Sequence, residues 1–110
     1  MIARIWRGAV AAADADAYAD YMLETGVAGY AATPGNQGVY MLRRDDGTRC
    51  EFLMFTLWQS MDAVRAFAGD DPEQAVFYPR DEHYLIDRET VVRHYEVHTH
   101  AQPGREVTDR

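Results

Sequence analysis

Cysteine, basic side chains and long apolar runs are all scarce in this sequence. The single Cys50 has no second cysteine to pair with, so nothing argues for an oxidising compartment. The 11 basic residues stand against 18 acidic ones, and the net charge of −7 opposes binding to nucleic acid or to anionic lipid. No segment has the length of a transmembrane helix, and the N-terminal apolar stretch is too short for a signal peptide. We therefore expect a cytoplasmic protein with neither nucleic acid nor membrane as a partner.

Several signatures of cofactor binding and catalysis are missing as well. The chain has no glycine-rich phosphate loop, no G-x-S-x-G nucleophile turn and no H-E-x-x-H zinc motif. Nucleotide cofactors and hydrolase triads therefore have no support, and we expect no cofactor.

The 110 residues, 47% of them hydrophobic, suit one compact domain. We assign residues 1–100 to this domain and residues 101–110 to a polar, flexible tail. A first strand is expected from Ile2 to Gly8, followed by a helix that Asp14 caps and Gly26 ends. The acidic row of this helix, at Asp16, Asp20 and Glu24, indicates a solvent-exposed face rather than a metal site.

After the first helix, the predicted order of elements continues with a loop rich in glycine, "GYAATPGNQG". Two strands, "VYMLRR" and "RCEFLMFTLW", flank a "DDGT" hairpin turn, and the second is apolar enough to be central. Ser60 is expected to cap a second helix that stops at Gly69, and Asp71 to begin a short third one. "TVVRHYEVHT" is the last predicted strand.

This order predicts an α+β fold of the ferredoxin-like, split βαβ type (βαββαβ), with an antiparallel sheet and both helices on one face. The central strand is apolar on both sides, and no further element remains to cover the second face. A second copy placed sheet against sheet is the simplest cover, so we predict a homodimer.

The stretch "TLWQSMDAVRAF" at residues 56–67, together with the element order, resembles the antibiotic biosynthesis monooxygenase family of the dimeric α+β barrel superfamily. The resemblance extends from about Ile2 to Val97. It implies a dimeric α+β barrel and cofactor-independent oxygenation of an aromatic, polyketide-like molecule, whose own carbanion reacts with O₂. It also points to a haem-degrading branch with an Asn, Trp and His set. Here Phe67 and Phe77 occupy the Trp and His places, and a phenyl ring cannot ligate iron, so haem degradation is disfavoured unless the loop after Pro79 brings His83 to the site.

The densest polar and aromatic run, "FYPRDEHYL", holds the candidates for proton transfer. The imidazole of His83 is a candidate general base at neutral pH, and Tyr78 or Tyr84 could hydrogen-bond a developing phenolate or enolate. A solvated loop pinned by its tyrosines is the alternative interpretation.

Four residues are candidates for substrate binding. Trp58 and Phe67 offer flat apolar walls, although both also suit core packing. Asn36 could reach a ligand carbonyl or simply fill a turn. Arg93 on the last strand, like Arg4 or Arg7 on the first, could hold a carboxylate or phenolate, or pair with an acid of the chain.

His94, Glu96, His98 and His100 alternate along the last strand in a way that can gather imidazoles around a divalent metal. Because this strand runs into a polar tail, we predict no metal site. Three hypotheses remain: a cofactor-independent monooxygenase-like enzyme for a small hydrophobic molecule, a non-catalytic dimeric binding or stress-related protein, and a cyclase or isomerase.

Overall fold

The computed structural model describes residues 1–104 and the backbone of residues 107–109. Five strands form one antiparallel sheet: β1 (Ile2–Ala11), β2 (Asn36–Asp46), β3 (Arg49–Trp58), β4 (Leu85–Arg88) and β5 (Arg93–Glu96). The sheet order is β2-β3-β1-β4, and β5 pairs with the other end of the same edge of β1. A separate hairpin joins β6 (Thr99–Ala101) to β7 (Val107–Asp109).

The helices cover only one face of this sheet. A 3₁₀ turn (Ala12–Asp14) leads into α1 (Ala15–Met22), a π-helical turn (Leu23–Val27) and α2 (Ala28–Ala32), which form one continuous helical run. The second helix, α3 (Met61–Ala68), follows β3, and a single turn, α4 (Asp81–Tyr84), precedes β4. This confirms the predicted α+β class with helices on one face.

The register of β1 and β3 defines an inner face toward the helices and an outer face without them. On β3 the inner side chains are buried, namely Cys50, Phe52, Met54, Thr56 and Trp58. They pack against apolar residues of the helical run and α3, including Tyr18, Met22, Tyr30 and Val64. On the outer face, Leu53, Phe55 and Leu57 remain partly exposed.

Several local predictions are confirmed. The "DDGT" turn joins β2 to β3 with Gly47 at φ 68°, and β3 lies inside the sheet between β2 and β1. The Ser60 hydroxyl accepts a hydrogen bond from the Ala63 N–H at 3.2 Å, which caps α3. Gly69 ends α3 with φ 87°, a conformation that favours glycine.

Other boundaries are wrong. β1 extends to Ala11, beyond the predicted end at Gly8. Asp14 precedes α1, but its side chain makes no capping hydrogen bond. Gly26 does not end the first helix: it lies buried in the π-helical turn, and the helix continues to Ala32. The helix predicted from Asp71 is a turn instead.

The last strand, predicted over residues 90–99, is shorter in the structure: β5 covers Arg93–Glu96, and β4 is an additional strand that precedes it. β4 and β5 pair with opposite ends of β1, and residues 90–92 between them bond to the turn that replaces the Asp71 helix. Residues 105, 106 and 110 of the predicted flexible tail lie outside the described residues. None of the helices among residues 1–104 is long and apolar enough to cross a membrane.

Candidate functional site

An aromatic cluster occupies the inner face at the end of β3. The Trp58 ring lies 6.1 Å from that of Tyr30 and 5.8 Å from that of Phe67, and the Tyr30 and Phe67 centroids are 4.5 Å apart. Trp58 is completely buried, and its indole N–H donates to the Thr56 hydroxyl at 2.8 Å. Both predicted aromatic residues are therefore in one cluster, with Trp58 behind it as core and Phe67 nearer the surface.

Arg4 of β1 is the unusual member of this region, because its side chain is charged and only 2% exposed. Its Nη2 donates to the carbonyl of Gln74 at 3.2 Å and, at 3.5 Å, to that of Pro72, and its guanidinium lies 5.7 Å from the Phe67 ring centroid. Its buried Nε has no hydrogen-bond partner. Among residues 1–104, no carboxylate lies within ion-pair distance of Arg4. The fold therefore buries a cation without an anion.

Two tyrosine hydroxyls accompany this guanidinium. Burial lowers the pKa of Arg4, and Tyr30 and Tyr78 partly oppose that shift. Burial likewise raises the pKa of Tyr30 and of Tyr78, so both phenols stay protonated at neutral pH and can donate hydrogen bonds. A Cβ at Gly29 would lie 2.8 Å from the Tyr78 hydroxyl and 3.3 Å from Phe67, so both rings converge on this glycine of α2. We call Arg4, Tyr30, Phe67 and Tyr78 the Arg4 site.

A small cavity of about 10 Å³ adjoins the Arg4 site, between the sheet and the helical run. Its volume suits one water molecule. Asp81 lies at its wall, where it is buried and accepts hydrogen bonds from the Tyr78 N–H at 2.6 Å and the Tyr18 hydroxyl at 3.4 Å. Burial is the largest influence on the Asp81 carboxyl and raises its pKa. The cavity lining is Trp6, Tyr18, Met22, Gly26, Tyr30, Val76, Tyr78 and Asp81.

The three residues predicted for proton transfer are separated. Tyr78 belongs to the Arg4 site, whereas His83 is exposed on α4 with its ring edge-on to Tyr84 at 5.6 Å. Tyr84 packs against Tyr18 and accepts a hydrogen bond from Arg80 at 3.2 Å. The structure thus leaves His83 outside the cavity.

The two remaining binding candidates also lie apart. Asn36 begins β2 beside Trp58, and its Oδ1 accepts from the Gly38 N–H at 3.2 Å, as in a turn, while its buried Nδ2 lacks a partner. Arg93 is exposed on β5, where it pairs with Ile5 on the outer face and forms an ion pair with Glu89 at 3.6 Å. Arg93 therefore does not face the cavity.

The histidine row of the last strand does not assemble. His94 stands on β5, but His98 lies beyond the strand with its Nδ1 2.6 Å from the Thr99 hydroxyl, and His100 lies on β6. Within residues 1–104, no group of three or more His, Cys, Asp or Glu side chains is arranged around a metal position.

A haem does not fit the described cavity. Its volume is far below that of a porphyrin, and its lining offers neither imidazole nor thiolate. Phe67 packs in the aromatic cluster, and Phe77 lies edge-on to Trp6 at 6.3 Å. Burial also raises the pKa of the three lining phenols, which disfavours the phenolate that iron would bind; these are Tyr18, Tyr30 and Tyr78.

The outer face of the sheet carries a second, larger concavity. A groove of about 470 Å³ is lined by Met1, Tyr40, Leu42, Phe55, Leu57, Val97, Thr99 and His100. Its walls are mostly apolar, and Tyr40 and Leu42 are more than half exposed. We call this surface the outer groove.

Sequence reasoning missed the combination at the Arg4 site. It weighed Arg4 only as an equal of Arg7, although Arg7 is a partly exposed partner of Glu51 at 2.7 Å. Tyr30 was not singled out at all. The one available signal was an arginine within an otherwise apolar strand, "IARIW", which is unusual for a core-facing position.

The chain is similar to known proteins in its fold and in its sequence. Among solved structures, the chain resembles a Nitrosomonas europaea protein assigned to the antibiotic biosynthesis monooxygenases, with a TM-score of 0.61 and 19% identity, over 87% of this chain and 97% of that one. It also resembles a mutant of MhuD with two manganese protoporphyrin IX bound per active site, with a TM-score of 0.54 and 20% identity, over 88% and 94% of the two chains. A search of curated proteins gave no match. The family profile "Antibiotic biosynthesis monooxygenase" matches residues 1–77. The chain belongs to the antibiotic biosynthesis monooxygenase family.

Proposed function

We propose that this protein is a cofactor-independent monooxygenase-like enzyme that acts on a hydrophobic aromatic or polyketide-like molecule. The family supplies the reaction class. The observation that supports the substrate class is the buried Arg4 guanidinium, which has no carboxylate partner among residues 1–104 and lies beside the Phe67 ring.

An unpaired buried charge is costly, and proteins normally pair or expose such groups. The chemical complement of the Arg4 site is therefore an anion with a flat aromatic body, such as a phenolate or enolate. In cofactor-independent oxygenation the substrate must become such an anion before it reacts with O₂. Hydrogen-bond donors placed in a dry site stabilise that charge as it develops.

The position of each side chain in the Arg4 site suggests its role toward the substrate. Arg4 holds the substrate oxyanion, and the Tyr30 and Tyr78 hydroxyls donate to the same region. Phe67 packs on the aromatic body, while Trp58 supports Phe67 from the core. Of the three residues proposed from sequence for proton transfer, only Tyr78 belongs to this site.

Access to the site requires residues 69–76, which we call the cover segment, to move. This segment places the carbonyls of Pro72 and Gln74 on Arg4 and bonds to residues 90–92 through two backbone contacts, at 2.9 and 2.8 Å. Most of its residues outside these contacts are exposed. The two carbonyls occupy guanidinium positions that a substrate oxygen would take.

Oxygen consumption with an anthrone as substrate tests the proposed reaction. We expect the wild type to consume O₂, and Arg4→Gln to reduce kcat by about 100-fold or more, as removal of an oxyanion donor does in other enzymes. Arg65→Gln is the matched control, because Arg65 is exposed on α3 and forms an ion pair with Asp62. Equal rates for Arg4→Gln and Arg65→Gln would contradict the role of Arg4.

A non-catalytic binding protein is the second candidate, and it is favoured by the exposed position of His83, the general base proposed from the sequence, outside the Arg4 site. A binding protein would show a thermal shift with the anthrone but no O₂ consumption in the wild type. That pair of results would replace the enzymatic proposal.

We also propose that a second copy of the chain covers the outer face of the sheet. Leu42 is 51% exposed there and lines the outer groove. Large apolar surfaces of this kind mark interaction sites. Leu42→Arg should give a monomer in light scattering coupled to size-exclusion chromatography. Leu23→Arg is the control and should remain a dimer, because Leu23 is 52% exposed on the helical side of the sheet. A monomeric wild type would contradict the proposed dimer.

A further inference from the structure

His94 of β5 lies directly opposite Arg4 of β1 in the antiparallel register, so both side chains project from the inner face of the sheet. The alternation along the sequence had grouped His94 with His98 and His100, which follow it along the chain. The fold instead separates it from them and places it beside the buried guanidinium.

Both members of this cross-strand pair have a buried polar atom without a hydrogen-bond partner. These atoms are Nε of Arg4 and Nε2 of His94. Buried polar atoms in folded proteins are nearly always satisfied, so two adjacent exceptions need a reason. Nε of Arg4 is a donor, and Nε2 of a neutral imidazole is an acceptor when the proton is on Nδ1. Together they complement a group that presents both an oxygen and an acidic proton.

The surroundings of His94 favour the neutral form of its ring. Burial is the main reason that the His94 pKa is lowered, and Arg4 on β1 adds to this effect. The negative charge of Glu73, in the cover segment, opposes this lowering of the pKa. A neutral imidazole is the form that accepts a proton, and its ordinary titration range lies close to neutral pH.

We propose that His94 is the proton acceptor of this site and that its substrates are aromatic molecules with an acidic O–H, or with a C–H next to a carbonyl. This rests on the proposed function. The substrate O–H or C–H bond breaks, its electron pair remains on the substrate as phenolate or enolate, and the proton forms an N–H bond at Nε2 of His94. Arg4 then holds the oxyanion, and the negative charge between the two side chains offsets the repulsion between imidazolium and guanidinium.

Anaerobic binding of an anthrone separates this step from the reaction with O₂. The anthrone anion absorbs visible light, so its ionised fraction is read directly from the spectrum. We expect the wild type to bind the anion, and His94→Gln to lower the ionised fraction at least 10-fold and the aerobic kcat by about 100-fold or more. His98→Gln is the control, because His98 is exposed beyond β5.

The pH profile gives a readout that a structural role would not change. The wild-type rate should fall on the acid side as His94 becomes protonated, and this limb should be absent in the residual activity of His94→Gln. His94→Asn serves if the glutamine variant does not fold, as judged by circular dichroism.

The outcomes distinguish the two proposals. An ionised fraction unchanged in folded His94→Gln or His94→Asn would overturn the role of His94, whatever the rate with O₂. Ionisation that depends on His94, without O₂ consumption, would support the role of His94 and refute the oxygenase proposal.

Discussion

Replacing Arg4 by methionine should separate stability from function more clearly than any other change. Methionine matches the arginine stem as far as Nε and carries no charge, so it can fill the space of that stem within the core. If Arg4 is present to bind an anion, its removal should abolish activity while stability is kept or improved. If Arg4 instead serves mainly to hold the cover segment in place through its hydrogen bonds, the stability of the protein should fall.

The expected change in the free energy of unfolding follows from the contacts of Arg4. The bond from Nη2 to the Gln74 carbonyl at 3.2 Å is the better of the two, and its loss costs about 1.5–3 kcal/mol as a charged hydrogen bond. The bond to Pro72 at 3.5 Å is at the limit of useful geometry. Against this, burying an unpaired ion costs several kcal/mol, which methionine removes. We therefore expect the free energy of unfolding to stay within about 1 kcal/mol of wild type or to rise.

Urea denaturation followed by circular dichroism measures this quantity, with the anthrone assay run on the same preparations. Arg65→Met is the control for a general effect of losing an arginine. A fall of more than about 2 kcal/mol in Arg4→Met, roughly the whole value of its hydrogen bonds, would refute the reasoning.

Two further predictions concern the supporting residues. Because burial raises the pKa of Asp81, the folded state keeps its proton to higher pH than the unfolded chain does, and the stability that Asp81 contributes is lost as pH rises through the raised pKa. The stability of Asp81→Asn relative to wild type, from urea melts, should therefore improve between pH 4 and pH 7; a constant difference would contradict the shift. Trp58→Phe should lower the free energy of unfolding by about 1–2 kcal/mol through the lost bond to Thr56, and an unchanged melting curve would show that the buried indole bond does not matter.

Local rules predicted those parts of the fold that depend on neighbouring residues. The Ser60 cap, the Gly47 turn and the stop at Gly69 each need only a short stretch of chain, and all three are present. The apolar run of β3 likewise indicated a strand inside the sheet. These features are set by backbone conformation and hydrophobic pattern, which the sequence shows directly.

Tertiary packing overrode the rules elsewhere. Gly26 resembled a helix end, but it lies buried against the Met22 side chain inside a helical run that continues to Ala32. Asp71 and Pro72 resembled a helix start, but Gln74 bridges to Val91 and the segment turns back over Arg4. Val91 and Arg4 are both distant in sequence from this segment.

The candidate site was the least predictable part. Which of Arg4 and Arg7 is buried depends on which face of β1 the helices cover, and "MIARIWRGAV" does not alternate cleanly enough to show it. The pairing of Arg4 with His94 depends on a register between residues 90 positions apart in sequence. Loop chemistry drew attention to His83, which the fold leaves exposed.

The central claim is that buried Arg4 binds the oxyanion of an aromatic substrate. Calorimetric titration of a hydroxylated aromatic ligand and its O-methyl ether, with wild type and with Arg4→Met, tests it most directly. We predict that the wild type prefers the hydroxylated ligand by at least 10-fold in Kd, and that Arg4→Met binds both equally. The same preference in both proteins, or none in the wild type, would contradict the claim.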